Sequence, residues 1–168
     1  VVFIHGLHNR RIAKMMKRMK AAGIATSMDM AAVDAASEAG RADWEKILSL
    51  ALPFVDFFVP SVEELCFMLD RKRFEEWQQR AKGGDITEYL DVDEDIRPLA
   101  DRCMALGVKV LLIKCGAPGI YYRTADRETL SLIGDDLMPE PEKWADLEGF
   151  ERSYVPERIA SGTGAGDT

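Results

Sequence analysis

Short apolar runs rich in β-branched residues alternate along this chain with segments of helical periodicity, and no other feature of the sequence narrows the fold so far. The run VVFI at residues 1–4 precedes RRIAKMMKRMKAAG, where Ile12, Met15, Met16 and Met19 share one helical face before Gly23 stops the pattern. That methionine spacing is the spacing of a core face. IATSMD, from Ile24, is a second strand candidate, and ADWEKILSLAL sets Trp44, Ile47, Leu48 and Ala51 at helical intervals. VDFFV at residues 55–59 is a third strand, ended by Pro60. Ser61 and Glu64 then form an S-x-x-E capping box that opens a helix running to about Leu69. Strands joined by helices of about a dozen residues pair in parallel, because a parallel crossover needs that length of chain. The expected class is α/β with a mostly parallel central sheet and helices on both faces.

The later half continues the pattern with two interruptions. Residues 70–96 are dense in charge, with Gly83 and Gly84 separating two helical pieces, and are expected to form a surface excursion. A helix over 96–106 ends at Gly107, VKVLLI is a fully apolar buried strand, and residues 116–119 turn. The pieces IYYRT and ETLSLI after that turn are expected to pair as a hairpin. The tail, 134–157, with Pro139, Pro141 and Pro156, is expected to be loop. The chain opens without an initiator methionine, inside an apparent strand, and stops inside a loop; it is expected to be one α/β domain over residues 1–168, an internal piece of a longer protein.

Composition excludes several functions. The 168 residues with 47% hydrophobic content suffice for a single core, and 29 acidic against 22 basic residues give a net charge of -7 with no basic stripe, so nucleic acid is not an expected partner. Small molecules or other proteins are. Cys66, Cys103 and Cys115 are odd in number and lack zinc or disulfide spacing, which fits a reducing cytoplasm. The most apolar stretch, 48–59, is broken by Pro53 and Asp56 and is too short to span a bilayer. Asp91, Asp93 and Asp95 mimic the start of a calcium loop, yet Ile96 and Arg102 stand where that loop requires Gly and Glu, so a solvated acidic run is expected. His5 and His8 have no companion at metal or triad spacing.

In parallel α/β sheets, ligands gather at the carboxyl ends of the strands. That rule selects residues 5–6, Asp29, residues 61–64 and residues 114–119. Asp29 is either a substrate contact or a solvated loop residue or helix cap. The closing SGTGAGDT carries Gly162, Gly164 and Gly166, which let the backbone approach a ligand and aim several N–H groups at one anion. It is not a P-loop, because Asp167 replaces the required Lys and Ser161 the required Gly; a dinucleotide fingerprint fails at Asp167 too. A carboxylate beside an anion cradle is repelled by phosphate. Either it caps a helix, or it removes the proton of a hydroxyl that attacks the phosphate.

GTGAGDT resembles the signature of the ribokinase-like (PfkB) carbohydrate kinases, G-A-G-D followed by a small residue, with Gly164, Ala165, Gly166 and Asp167 matching in turn. VDFFVPSVEEL resembles that family's strand and N-x-x-E, and LGVKVLLIKCGAPGIYY its strand and K-x-G-x-x-G turn, in family order. The resemblance implies a three-layer α/β/α fold and ATP-dependent phosphoryl transfer to a hydroxyl of a sugar or sugar-like molecule. By it, Asp167 is the catalytic base and Gly164, Ala165 and Gly166 form the anion hole. Lys114, Gly116 and Gly119 lie at the nucleotide, Glu64 at Mg2+, and Asp29 at the substrate. The capping box and ordinary turn chemistry explain Glu64 and the two glycines equally well without a ligand. Ser61 replaces the usual Asn, and Ser161 the Asp that many members carry three residues before G-A-G-D. Those departures keep open a catalytically idle sensor domain that binds a nucleotide or metabolite. The family's N-terminal substrate and lid portion and its C-terminal end have no counterpart here; a homodimer stays open.

Overall fold

A computed structural model of the chain describes residues 9–154. The strand expected at residues 1–4, the turn at His5 and Gly6, and the glycine-rich close of the chain lie outside the described residues.

The first described element is α1 (Asn9–Ala21), whose Met16 is buried with Met15 and Met19 packed around the same core. β1 (Ser27–Met28) is shorter than its apolar run. α2 (Trp44–Ala51) starts where the Asp43 side chain accepts from the Lys46 amide and buries Trp44, Ile47, Leu48 and Ala51, the face that periodicity assigns to it. β2 (Phe57–Phe58) leads into α3 (Val62–Leu69), which carries both halves of the expected capping box. α4 (Arg71–Ala81) and α5 (Arg97–Ala105) follow, then β3 (Val110–Lys114) and β4 (Gly119–Thr124). The chain continues through α6 (Arg127–Ser131) and α7 (Pro141–Trp144) to β5 (Glu148–Arg152).

The five strands stand in sequence order. β1, β2 and β3 pair in parallel through the helical crossovers; β4 runs against β3, and β5 against β4. Four of the five strands therefore point the same way. One face carries Met28, Phe58, Leu111, Ile113 and Tyr121 into the larger core with α2, α3 and α5. The other carries Phe57, Val110 and Leu112 against Leu130, Ile133 and Met138. Strand alternation puts neighbouring residues on opposite faces, which is why Phe57 and Phe58 belong to different cores.

Three expectations need correction. ETLSLI is not a strand paired with IYYRT: Asp126 accepts from the Thr129 amide and caps the short helix α6, and β4 pairs with β3 and β5. Leu130 and Ile133 are both buried and stand three residues apart, a helical interval that a six-residue window does not separate from alternation. The tail is not all loop, since α7 and β5 fall within it; Phe150 on β5 faces Tyr121 on β4. The 70–96 excursion is more than surface, because Trp77, Ile86 and Asp95 are buried in it. Asp95 is not solvated: it accepts from Trp77 Nε1, Arg73, Arg80 and the Asp91 amide.

At the amino ends of the parallel strands, Asp56 is fully buried between Lys20 Nζ at 2.8 Å and Lys109 Nζ at 3.0 Å. Its Oδ2 also accepts from the Thr26 amide at 2.9 Å. Burial alone would raise the carboxyl; the bond from Lys20, the Thr26 amide and Lys109 outweigh it and hold Asp56 below its ordinary value.

Candidate functional site

The carboxyl ends of β1, β2 and β3 bring together three of the residues singled out from sequence. Asp29 follows β1, Ser61 follows β2 through Pro60, and Lys114 closes β3. The ladder between β2 and β3 is prolonged there by an isolated parallel bridge between Ser61 and Lys114, with the Lys114 amide donating to Pro60 O at 2.9 Å. Lys114 Nζ donates to both carboxylate oxygens of Asp29, at 2.9 and 2.7 Å. Because β2 stands between β1 and β3, the lysine and aspartate side chains together bridge two strand spacings, roughly 10 Å, across the exit of β2. The two side chains are 37% and 38% exposed, so a ligand can reach both heads.

Glu64 holds a structural position. Its Oε2 accepts from the Ser61 amide at 3.1 Å while Ser61 Oγ accepts from the Glu64 amide at 3.2 Å, which satisfies two donors at the start of α3. The other Glu64 carboxylate oxygen has no hydrogen-bond partner among the described residues. Beside it lies a cavity of about 410 Å³ lined by Ser61, Glu63, Glu64, Phe67, Arg71 and Phe74. The Arg71 guanidinium stacks 3.4 Å from the centre of the Phe67 ring and donates to Gly40 O, so its donors serve the backbone. Burial raises the Glu63 carboxyl, and the charges of Asp85 and Glu64 raise it further. Such a pair of carboxylates favours a cation. Among the described residues no group of three or more His, Cys, Asp or Glu is placed to hold a metal ion.

Gly116 and Gly119 are both demanded by packing. Gly116 has φ +63, and a Cβ there would lie 2.8 Å from Thr87 Oγ1; Gly119 has φ +142, and a Cβ there would lie 2.0 Å from Glu151 O. Thr87 is buried, and its hydroxyl and amide both donate to Asp85 Oδ1, at 2.7 and 2.8 Å. The excursion thus presses a fixed hydroxyl against the turn that follows β3. Sequence reasoning missed Thr87 and Asp85, since the D-x-T step signals a local turn and says nothing of a distant glycine. It missed Glu63 as well, whose neighbour Asp85 is equally remote in sequence. The cysteines are free and buried; burial pushes the thiols of Cys66 and Cys103 up to about 12 and that of Cys115 to about 11, so none is a nucleophile at neutral pH. Asp167, Gly164, Ala165 and Gly166 lie outside the described residues.

No family model matches the chain, and no curated protein matches it. Solved structures do. A fructokinase with bound ATP from Xylella fastidiosa is similar over 95% of this chain, with a TM-score of 0.54 and 15% identity, the match covering 36% of that protein. A PfkB protein from Polaromonas sp. JS666 is similar over 68% of this chain and 31% of its own, at TM-score 0.45 and 22% identity. A protein solved as Sa239 is similar over 93% and 35%, at TM-score 0.49 and 18% identity. The chain therefore spans about a third of the length of the solved structures it resembles. The likeness to the fructokinase is one of fold: this chain has the ribokinase-like α/β architecture of part of that molecule.

Proposed function

We propose that this chain belongs to a kinase that transfers the terminal phosphoryl group of ATP to a hydroxyl of a sugar or sugar-like molecule. The observation that carries this reading is the convergence of Asp29, Ser61 and Lys114 at the carboxyl edge of the parallel strands, in a fold shared with a fructokinase. That edge is where an α/β sheet receives a phosphorylated ligand. The ordered motifs at residues 61–64, 114–119 and 164–167 add the chemistry.

In this reading Asp167 accepts the proton of the acceptor hydroxyl as its oxygen bonds to the terminal phosphorus and the bridging bond to ADP breaks. The amides of Gly164, Ala165 and Gly166 stabilise the charge on the group in transit. Lys114 supplies a positive head beside the nucleotide phosphates, and residues 116–119 form the turn beneath it. Glu64, with Glu63 beside it, offers the carboxylate oxygens that would hold Mg2+ through its water shell, and the unengaged oxygen of Glu64 and the raised carboxyl of Glu63 fit that use. Mg2+ neutralises the phosphates when it is bound. Asp29 contacts the substrate side of the site. Three buried free thiols support a cytoplasmic setting.

Asp167→Asn tests the assignment. It should leave nucleotide binding nearly unchanged and lower turnover on a panel of sugars by about a hundredfold or more, the range of general-base catalysis. Full turnover in that variant would refute it. Ligand-induced stabilisation of the full-length protein that contains this chain, without any phosphoryl transfer, would refute the kinase itself.

A further inference from the structure

The Asp29–Lys114 pair joins the residue assigned to substrate with the residue assigned to nucleotide, and the two heads neutralise each other. A lysine occupied in this way is not free for phosphate. Its ammonium donates to both oxygens of one carboxylate, and no other acid hydrogen-bonds to it among the described residues. Asp29 accepts also from the Met30 amide at 2.7 Å, which fixes the carboxylate while the lysine stem reaches across to it. Both heads are partly solvated, so the pair opens cheaply: contacts of this kind are worth at most about fivefold in an equilibrium constant.

We propose that Asp29 is a specificity-determining residue that holds Lys114 in reserve, so that a polyanionic group takes the lysine from it more readily than a singly charged anion does. This rests on the anion-binding half of the reading above and requires none of its chemistry. A neutral sugar hydroxyl cannot displace the carboxylate. A phosphate carrying more than one charge can, because it offers the ammonium a larger Coulomb attraction at the same distance. The carboxylate left behind then repels that phosphate, so Asp29 weakens every anion and leaves the multiply charged ones the better competitors for Lys114. Its removal relieves both the competition and the repulsion, each worth up to about fivefold, and the combined gain should be about three- to twentyfold.

The probe is inorganic tripolyphosphate, titrated calorimetrically into the intact chain as wild type, Asp29→Asn, Lys114→Met and the double variant. Asp29→Asn should bind about three- to twentyfold more tightly than wild type, Lys114→Met should lose most of the affinity, and the gain should vanish in the double variant. Equal or weaker binding by Asp29→Asn, a gain that persists without Lys114, or no binding by either wild type or Asp29→Asn would overturn the proposal. So would loss of sugar binding in Asp29→Asn at unchanged tripolyphosphate affinity, which makes Asp29 a sugar ligand. Asp29→Ser repeats the test if the Asn variant fails to fold. A tighter Asp29→Asn in a full-length protein that transfers no phosphate sustains this inference while removing the kinase reading.

Discussion

The glycines at the turn after β3 show how a single residue can satisfy two demands. Gly116→Ala places a methyl against Thr87 Oγ1 in a left-handed backbone, and should cost about 1–2 kcal/mol from the conformation alone. Thr87→Ala in the same chain should recover the crowding but not the conformational part, so the double variant should be less destabilised than the sum. Gly119→Ala meets the backbone oxygen of Glu151, which cannot swing aside, and should be the more damaging of the two in urea unfolding. A Gly119→Ala chain as stable as Gly116→Ala would contradict the close approach of β4 and β5. Sequence placed both glycines in a turn because that signal is local. It could not say that their neighbours are Thr87 and Glu151, since nothing in the chain near Gly116 records what folds against it.

Among the elements, those stabilised from within were legible and those stabilised from outside were not. The capping box of α3 is written in four consecutive residues, and both of its hydrogen bonds are present. Ser61→Ala should cost about 1 kcal/mol, read as a lowered melting temperature; no change would mean that the cap contributes nothing. The charge-dense excursion reads as solvent-facing because charged residues are seldom buried unpaired. Asp95 instead gathers Arg73, Arg80, Trp77 and the Asp91 amide into one knot that ties α4 to the irregular turn over Val92–Ile96. Asp95→Ala should destabilise by about 1–3 kcal/mol by leaving those donors unpaired, with faster amide exchange across residues 71–96 as the marker. An unchanged exchange pattern would show that the excursion is held by its apolar residues alone. β5 escaped detection because its polar, half-exposed residues resemble loop; only the edge of β4 makes it a strand.

At the scale of the whole molecule, the two ends of the parallel strands divide the work. The carboxyl end carries Asp29, Ser61 and Lys114; the amino end carries the buried pairs of Asp56 with Lys20 and Lys109. Because the Asp56 carboxyl is held below its ordinary value of 3.8, its contribution is fully present above that pH and is lost as pH falls through the lower, folded value. Acid unfolding should therefore steepen below about pH 3.8, and Asp56→Asn should flatten that limb. The same variant should cost about 3 kcal/mol or more at neutral pH, since it leaves Lys109 buried without its partner. An acid limb identical to wild type in Asp56→Asn would dismiss this role. By itself the sequence determined the α/β class, the core faces of α1 and α2, the cap of α3 and the end of the sheet at which to look, because each follows from spacing within a few residues. Only the tertiary structure decided the reversed strand β4, the recruitment of β5, the buried Asp95 knot and the union of Asp29 with Lys114. Those depend on which distant segments meet, and chain folding sets such meetings through packing that no local pattern encodes.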